Sequence, residues 1–283
     1  MKLLTLNTHS LEEPGYVEKT EKFIEMLVKE QPDIVALQEV NQSQNAAELP
    51  DVMLDGYTRC GGFELPVRAD NHAAYVVKEL RKRGIYYDWT WISAKTGYGK
   101  YDEGMALLSR KPIARVQQFL ISKTDDYENW KTRRTLGIQP EGSSDWFFTV
   151  HMGWWNDEEE PFADQWKCIQ EALKDPEYGE GIIWLMGDFN SQADVRGEGY
   201  DLVLKSGWKD TYLLAEEKDD GITVAEEIDG WREEDGRSGS TKNEKRLDYI
   251  FCNTPADVRS SNVIYNGKNA PVVSDHYGVM ITV

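Results

Sequence analysis

Ile182-Ile183-Trp184-Leu185-Met186-Gly187-Asp188-Phe189-Asn190 sets an unbroken apolar run of strand length directly against an acid and an amide. A run that does not alternate with polar residues reads as a strand covered on both faces. A carboxylate at the end of such a strand is costly unless it is paired, hydrogen-bonded or bound to a cation. Alone, Gly-Asp-Phe-Asn is weak evidence, because Asp and Asn at a strand end more often shape a turn than a site. The pattern gains weight because it recurs along the chain.

Leu3 to Leu6 is a short apolar run ending in Asn7, and Ile34-Val35-Ala36-Leu37 runs into Gln38-Glu39. Glu103 stands just before the strand expected at Met105–Ser109, and His151 closes the one at Trp146–His151. Asp248 is embedded in Leu247-Asp248-Tyr249-Ile250-Phe251, and Ser274-Asp275-His276 precedes a last strand at Val279–Val283. Strands are also expected at Arg115–Ile121 and Thr135–Gln139. Phe23, Ile24, Leu27 and Val28 form one face of a helix that Pro32 ends, and further helices are expected over His72 to Arg83 and Pro161 to Lys174. Leu213 to Glu244, rich in charge and glycine, reads as a polar surface insertion. Many strands and few helices predict an α/β fold of sheet packed on sheet with helices outside, as one domain over residues 1–283.

The charge balance narrows the ligand. Fifty acidic residues against 32 basic ones give a formal charge of −18, the reverse of the basic stripe that displaces counterions from a polynucleotide or an anionic membrane. Nucleic acid is therefore an unlikely partner. Three scattered cysteines without a CxxC pair argue against a disulfide framework and a thiolate zinc site. Polar residues arrive by position 7, no apolar stretch is long enough to span a membrane, and the cytoplasm is the expected location.

If the strand ends converge, they make an oxygen-rich pocket ringed by amides and imidazoles. Hard oxygen ligands select Mg²⁺, or Mn²⁺ or Ca²⁺, over zinc. A hard cation beside His and Asp is what hydrolysis of a phosphate ester requires: charge on the phosphate oxygens is neutralised while a side chain orients the water. A lone His after a strand is more often structural, but the chain has four histidines and two of them lie inside these motifs.

Taken in order, Leu6-Asn7-Thr8, Leu37-Gln38-Glu39-Val40, Glu103-Gly104, Thr149-Val150-His151, Gly187-Asp188-Phe189-Asn190, Leu247-Asp248-Tyr249-Ile250-Phe251 and Ser274-Asp275-His276-Tyr277-Gly278 resemble the successive motifs of the endonuclease/exonuclease/phosphatase (DNase I-like) superfamily. The resemblance implies a four-layer α/β/β/α sandwich of two central mixed sheets flanked by helices, with the site at one edge of the sheets. It implies Glu39 as principal metal ligand, aided by Asn7 and Asp275, with Asp188 and Asn190 orienting water and phosphate. His276 paired with Asp248 would act as general base or bind a phosphoryl oxygen. His151, supported by Glu103, would contact the phosphate and protonate the leaving group. Members of the family divide on which group takes the proton of the water, and the sequence does not choose. Arg133 or Arg134 is a candidate phosphate clamp, since a guanidinium matches phosphate oxygens as a fork.

The substrate is read from aromatics. Trp154 and Trp155 follow His151 closely, and Trp231 sits with Asp229 in the insertion. Tryptophan faces with carboxylates suit a sugar, although each of the ten tryptophans has packing under a loop as its plainer role. Leu6-Asn7-Thr8-His9-Ser10, His151-Met152-Gly153-Trp154-Trp155 and Asp229-Gly230-Trp231 are also similar to a Gram-positive subgroup that includes cytoplasmic maltose 6′-phosphate phosphatases. The resulting expectation is a phosphomonoesterase on a small-molecule sugar phosphate. A phosphodiesterase (a nuclease or a sphingomyelinase-like lipase) is the alternative, and an inactive binding module on the same fold is the third reading.

Overall fold

Period-two sorting sends neighbouring apolar residues of one strand into different cores, which is why the strands read as continuous apolar runs. The computed structural model describes residues 1–179, 181–226, 228 and 244–283. Among the described residues the chain runs β1 (Lys2–Asn7), α1 (Tyr16–Glu30), β2 (Ile34–Ser43), α2 (His72–Lys82), β3 (Asp88–Gly97), β4 (Tyr101–Ser109), β5 (Ile113–Leu120), β6 (Arg134–Pro140) and β7 (Trp146–His151). It continues with α3 (Phe162–Ala172), β8 (Ile183–Asp188), α4 (Gly199–Lys205), β9 (Lys209–Asp210), α5 (Thr211–Leu214), β10 (Glu217–Lys218), β11 (Asp248–Cys252), β12 (Ser260–Ile264) and β13 (Gly278–Thr282). One sheet has the order β10-β12-β13-β1-β2-β4-β3 and the other β5-β6-β7-β8-β11-β9.

Three buried clusters define four layers. Leu3, Ile34, Ala36 and Met105 of the first sheet meet Leu136, Phe147, Trp184, Met186 and Ile250 of the second. The intervening residues Leu4, Val35 and Leu37 turn outward and pack with Phe23 and Leu27 of α1 and Val76 and Leu80 of α2. On the far side Phe148, Leu185 and Phe251 pack with Trp166 and Ile169 of α3 and Tyr200 and Val203 of α4. The protein is an α/β/β/α sandwich. Among the described residues no helix is long and apolar enough to cross a membrane.

Strand direction brings the polar strand ends to one edge. β1 runs parallel to β2, with Asn7 opposite Gln38, and β7 runs parallel to β8, with His151 opposite Asp188. β11 is antiparallel to β8, so Asp248, at its start, stands opposite Asp188 at the end of β8. β13 is antiparallel to β1, and its start follows His276 on the same edge. Part of the expected surface insertion is sheet: Glu217 and Lys218 pair with β12, and Val224 bridges to Lys245.

His72 opens α2 and packs against α1. Its Nδ1 lies 3.0 Å from the Tyr16 hydroxyl and its ring stacks on Phe23. Burial pushes its pKa down from 6.5 to about 4. The folded state therefore binds fewer protons than the unfolded one below pH 6.5, and stability falls between that pH and about 4, then levels off. At pH 5 the loss is about 2 kcal/mol. Urea unfolding at pH 7 and pH 5 should show the wild type losing that much more than His72→Asn; equal losses in both proteins would refute the assignment.

Candidate active site

Glu39 reaches the edge through a bulge. β2 pairs Leu37 with Ala106 and then Val40 with Gly104, leaving an extra residue in β2. Such an insertion re-aims a side chain. Glu39 takes φ +51°, a left-handed conformation costing on the order of 1 kcal/mol for a residue of this type. Its carbonyl is held by the hydroxyls of Thr8 and Ser10, at 3.2 and 2.7 Å. Beside it Gln38 Nε2 donates to Thr149 Oγ1 at 2.8 Å, tying the two sheets together.

Asp188 arrives from the other sheet. The preceding Gly187 has φ +149°, and a Cβ there would stand 2.0 Å from the Val150 carbonyl oxygen, so only glycine fits. Asp188 Oδ1 accepts from the Asn190 amide at 2.8 Å, and Asn190 Nδ2 donates to the Met152 carbonyl at 2.9 Å. Asn7 Nδ2 donates both to Glu39 Oε1, at 2.9 Å, and to Asp188 Oδ2, at 3.2 Å. Two imidazoles face the same Asp188 oxygen, His151 Nε2 at 3.6 Å and His276 Nε2 at 3.8 Å. His276 Nδ1 is 2.9 Å from Asp248 Oδ2.

The charges are tightly interdependent. Burial lifts the Asp188 pKa to about 7, with Asp248 adding to the rise and His276 opposing it. Burial and then the nearby Glu103 raise Glu39. Burial opposes protonation of His276, but Asp248 and Asp188 carry its pKa well above the usual range. His151 is driven the other way by burial and by Arg133 and Lys95. His9 is disfavoured as a cation by burial, yet its bond to Glu13 and the charges of Glu39 and Asp275 raise it to about 9.

A cavity of about 260 Å³ is lined by Glu39, Glu103, His151, Asp188, Asn190, Asp275 and His276. Lys95, Arg133, Trp130, Trp154, Tyr98 and His9 line it too. Asn7 and Asp248 lie immediately behind Glu39, Asp188 and His276 through the bonds above. Three expectations are placed differently, and a fourth falls outside the described residues. Arg134 leaves the cavity and lays its guanidinium over Phe63 at 4.9 Å, because it opens β6 and points to the opposite side from Arg133. Trp155 packs with Phe162 in the outer core. Glu103 pairs with Lys95 at 3.1 Å rather than supporting His151, because the two are cross-strand partners. Trp231 lies outside the described residues.

His9, Lys95, Tyr98 and Trp130 line the cavity and escaped the sequence reading. His9 stood in plain view two residues after Asn7; Lys95 carried no signal, because β3 itself was not recognised.

The residues fit a hard dication. His9, Glu13 and Asp275 offer ligand atoms within 4.8 Å of one another, as do Asp188, Asp248 and His276. Asp188 is buried and Glu39 partly buried, and desolvation above all holds both carboxylates above their ordinary pKa, a cost that a cation relieves. The donors are mostly oxygens, matching Mg²⁺ rather than a thiolate-bound metal.

The sequence profile describing the endonuclease/exonuclease/phosphatase family matches residues 4–276. No curated protein matches the chain. Among solved structures, an endonuclease/exonuclease/phosphatase family protein from Leptotrichia buccalis superposes with a TM-score of 0.82 at 33% identity, over 100% of this chain and 98% of its own. A mannosyl-6-phosphatase from Bacteroides thetaiotaomicron gives 0.65 at 16% identity, over 100% and 98%. TDP2 from Caenorhabditis elegans gives 0.60 at 15% identity, over 100% and 74%. At the two lower identities the likeness is one of fold.

Calorimetric titration with Mg²⁺ tests the acidic cluster. Glu39→Gln should bind at least about tenfold more weakly than wild type, the loss expected for one carboxylate ligand or its partner; unchanged affinity would move the metal elsewhere.

Proposed function

The chain belongs to the endonuclease/exonuclease/phosphatase family, and from that footing we propose that it is a Mg²⁺-dependent phosphomonoesterase acting on a sugar phosphate, a phosphorylated disaccharide such as maltose 6′-phosphate. The observation that carries the reading is that one small cavity holds both the buried Arg133 guanidinium and the Glu39–Asp188–His276 cluster. A phosphoryl group placed in it would meet a cation and the water-orienting groups together.

In this reading Glu39, aided by Asn7 and Asp275, would hold the metal, which would supply positive charge to the phosphate oxygens. Asp188 and Asn190 hold the attacking water, and Asp248 fixes the ring of His276 towards the phosphoryl oxygens. His151 borders the phosphate opposite His276. Water adds to phosphorus, the ester P–O bond breaks, and the departing alcohol takes up a proton, leaving inorganic phosphate.

The sugar assignment is supported by the rim. Trp130 and Trp154 meet edge to face with ring centroids 5.6 Å apart, and Tyr98 closes the same mouth. Aromatic faces of this kind stack on the C–H face of a sugar. A sugar phosphatase from Bacteroides thetaiotaomicron shares the fold. The unpaired Cys60, Cys168 and Cys252 suit a reducing cytoplasm.

A phosphate-release screen with added Mg²⁺ should give turnover on phosphorylated disaccharides and little on plasmid DNA. Efficient nicking of DNA with phosphosugars untouched would overturn the proposal. His276→Ala should lower kcat at least about 100-fold, the low end for removing one donor aimed at the charge that develops in the transition state; a wild-type rate in that variant would displace the site.

A further inference from the structure

Lys95 and Arg133 converge on one oxygen. Lys95 Nζ donates to the Trp130 carbonyl at 2.9 Å, and Arg133 Nη1 donates to the same carbonyl at 2.8 Å. Both side chains are buried, at 8% and 3% exposure, and both line the cavity. Two like charges side by side and out of water repel, and one carbonyl dipole does not offset them. Glu103 answers Lys95 at 3.1 Å. Among the described residues no carboxylate lies within ion-pairing distance of Arg133, and its buried Nε has no hydrogen-bond partner.

The fold goes out of its way to bring Lys95 there. β3 pairs Ser93 with Gly104 and then Lys95 with Glu103, so Ala94 is an extra residue. Without it Ala94 would oppose Glu103 and Lys95 would turn to the other face, since side chains alternate with period two. Gly104 makes room for this irregularity, because a Cβ there would stand 1.8 Å from the Ile92 carbonyl oxygen. A bulge that buries a lysine against an arginine is costly unless an anion completes the set.

We propose that Lys95 and Arg133 form a seat for the second negative charge of a phosphate monoester, making Lys95 the residue that sets monoester over diester specificity. This rests on the reading of the cavity as a phosphoesterase site. A monoester carries nearly two charges at neutral pH. Arg133 takes one non-bridging oxygen as a fork, and Lys95 takes a second from the same side. A monoester has three non-bridging oxygens, enough for Arg133, Lys95 and the acidic, metal-holding part of the cavity, whereas a diester has only two, so with those two taken Lys95 would face an alkylated oxygen and gain no charge-assisted bond, which penalises the wrong substrate. Glu103 is a positioning residue that holds the ammonium on the cavity side.

Two substrates with one leaving group isolate the effect: 4-nitrophenyl phosphate and methyl 4-nitrophenyl phosphate. Lys95→Gln should lower kcat/KM about 100-fold for the monoester and about fivefold for the diester, the difference expected for one charge-assisted bond. Lys95→Arg should restore most of the monoester preference. A ratio unchanged in Lys95→Gln would show that Lys95 merely props the Trp130 loop. In the unaltered protein orthophosphate should inhibit at least about tenfold more tightly than dimethyl phosphate; equal inhibition would overturn the seat whatever the variants do. If the wild type prefers the diester while Lys95→Gln shifts the ratio further towards it, the substrate proposal fails and the seat stands.

Discussion

One side-chain amide spans the two sheets: Asn7 donates from β1 to Glu39 on its own sheet and to Asp188 on the other. Asp188 is buried and Glu39 partly so, and the two carboxylates would separate if nothing bridged them. The amide contributes two charge-assisted bonds, each roughly twice as strong as a neutral one. It can do so only because strand order and direction put the end of β1 against the end of β8. The four layers, the inter-sheet core and the Gln38–Thr149 bond all fix that alignment, so a slip of one sheet past the other would cost the site before it cost the core.

Catalytic geometry here is obtained by local irregularity on a regular frame. β2 and β3 each carry an extra residue, and each extra residue delivers a charge, Glu39 in one case and Lys95 in the other. Gly104 stands opposite both irregularities in β4, which lies between the two strands. Strain at Glu39 is tolerated because Thr8 and Ser10 hold its carbonyl while a side-chain bond from Asn7 holds its carboxylate. Over-determination of this kind is what lets a folded chain keep a side chain in a sparsely populated conformation.

What was legible in the sequence follows from the same distinction. Strands buried on both faces announce themselves as apolar runs, and β7 is bounded as expected, at Trp146–His151. β12 (Ser260–Ile264) was invisible because its sequence, Ser-Ser-Asn-Val-Ile, has few apolar residues and draws its burial from β13. β3 was missed because Ala94 breaks its alternation, and Lys95 went with it. Arg133 and Arg134 are adjacent and identical in type, so nothing in composition separates them; only the start of β6 at Arg134 assigns them to opposite sides. Glu103 was paired with the wrong neighbour because a partner on an unrecognised strand cannot be considered.

The net charge of −18 and a cavity holding two buried cations are consistent once distance is considered. Surface carboxylates act over roughly one Debye length, about 8 Å at physiological ionic strength, and are screened beyond it. A polyanion must lie across that surface and meets repulsion over its whole length. A small group inside the cavity that Trp130, Trp154 and Tyr98 help to line would lie within that range of Lys95 and Arg133, and equally of Glu39, Glu103, Asp188 and Asp275. The acidic exterior and the two cations inside the cavity therefore act on an approaching anion at different ranges.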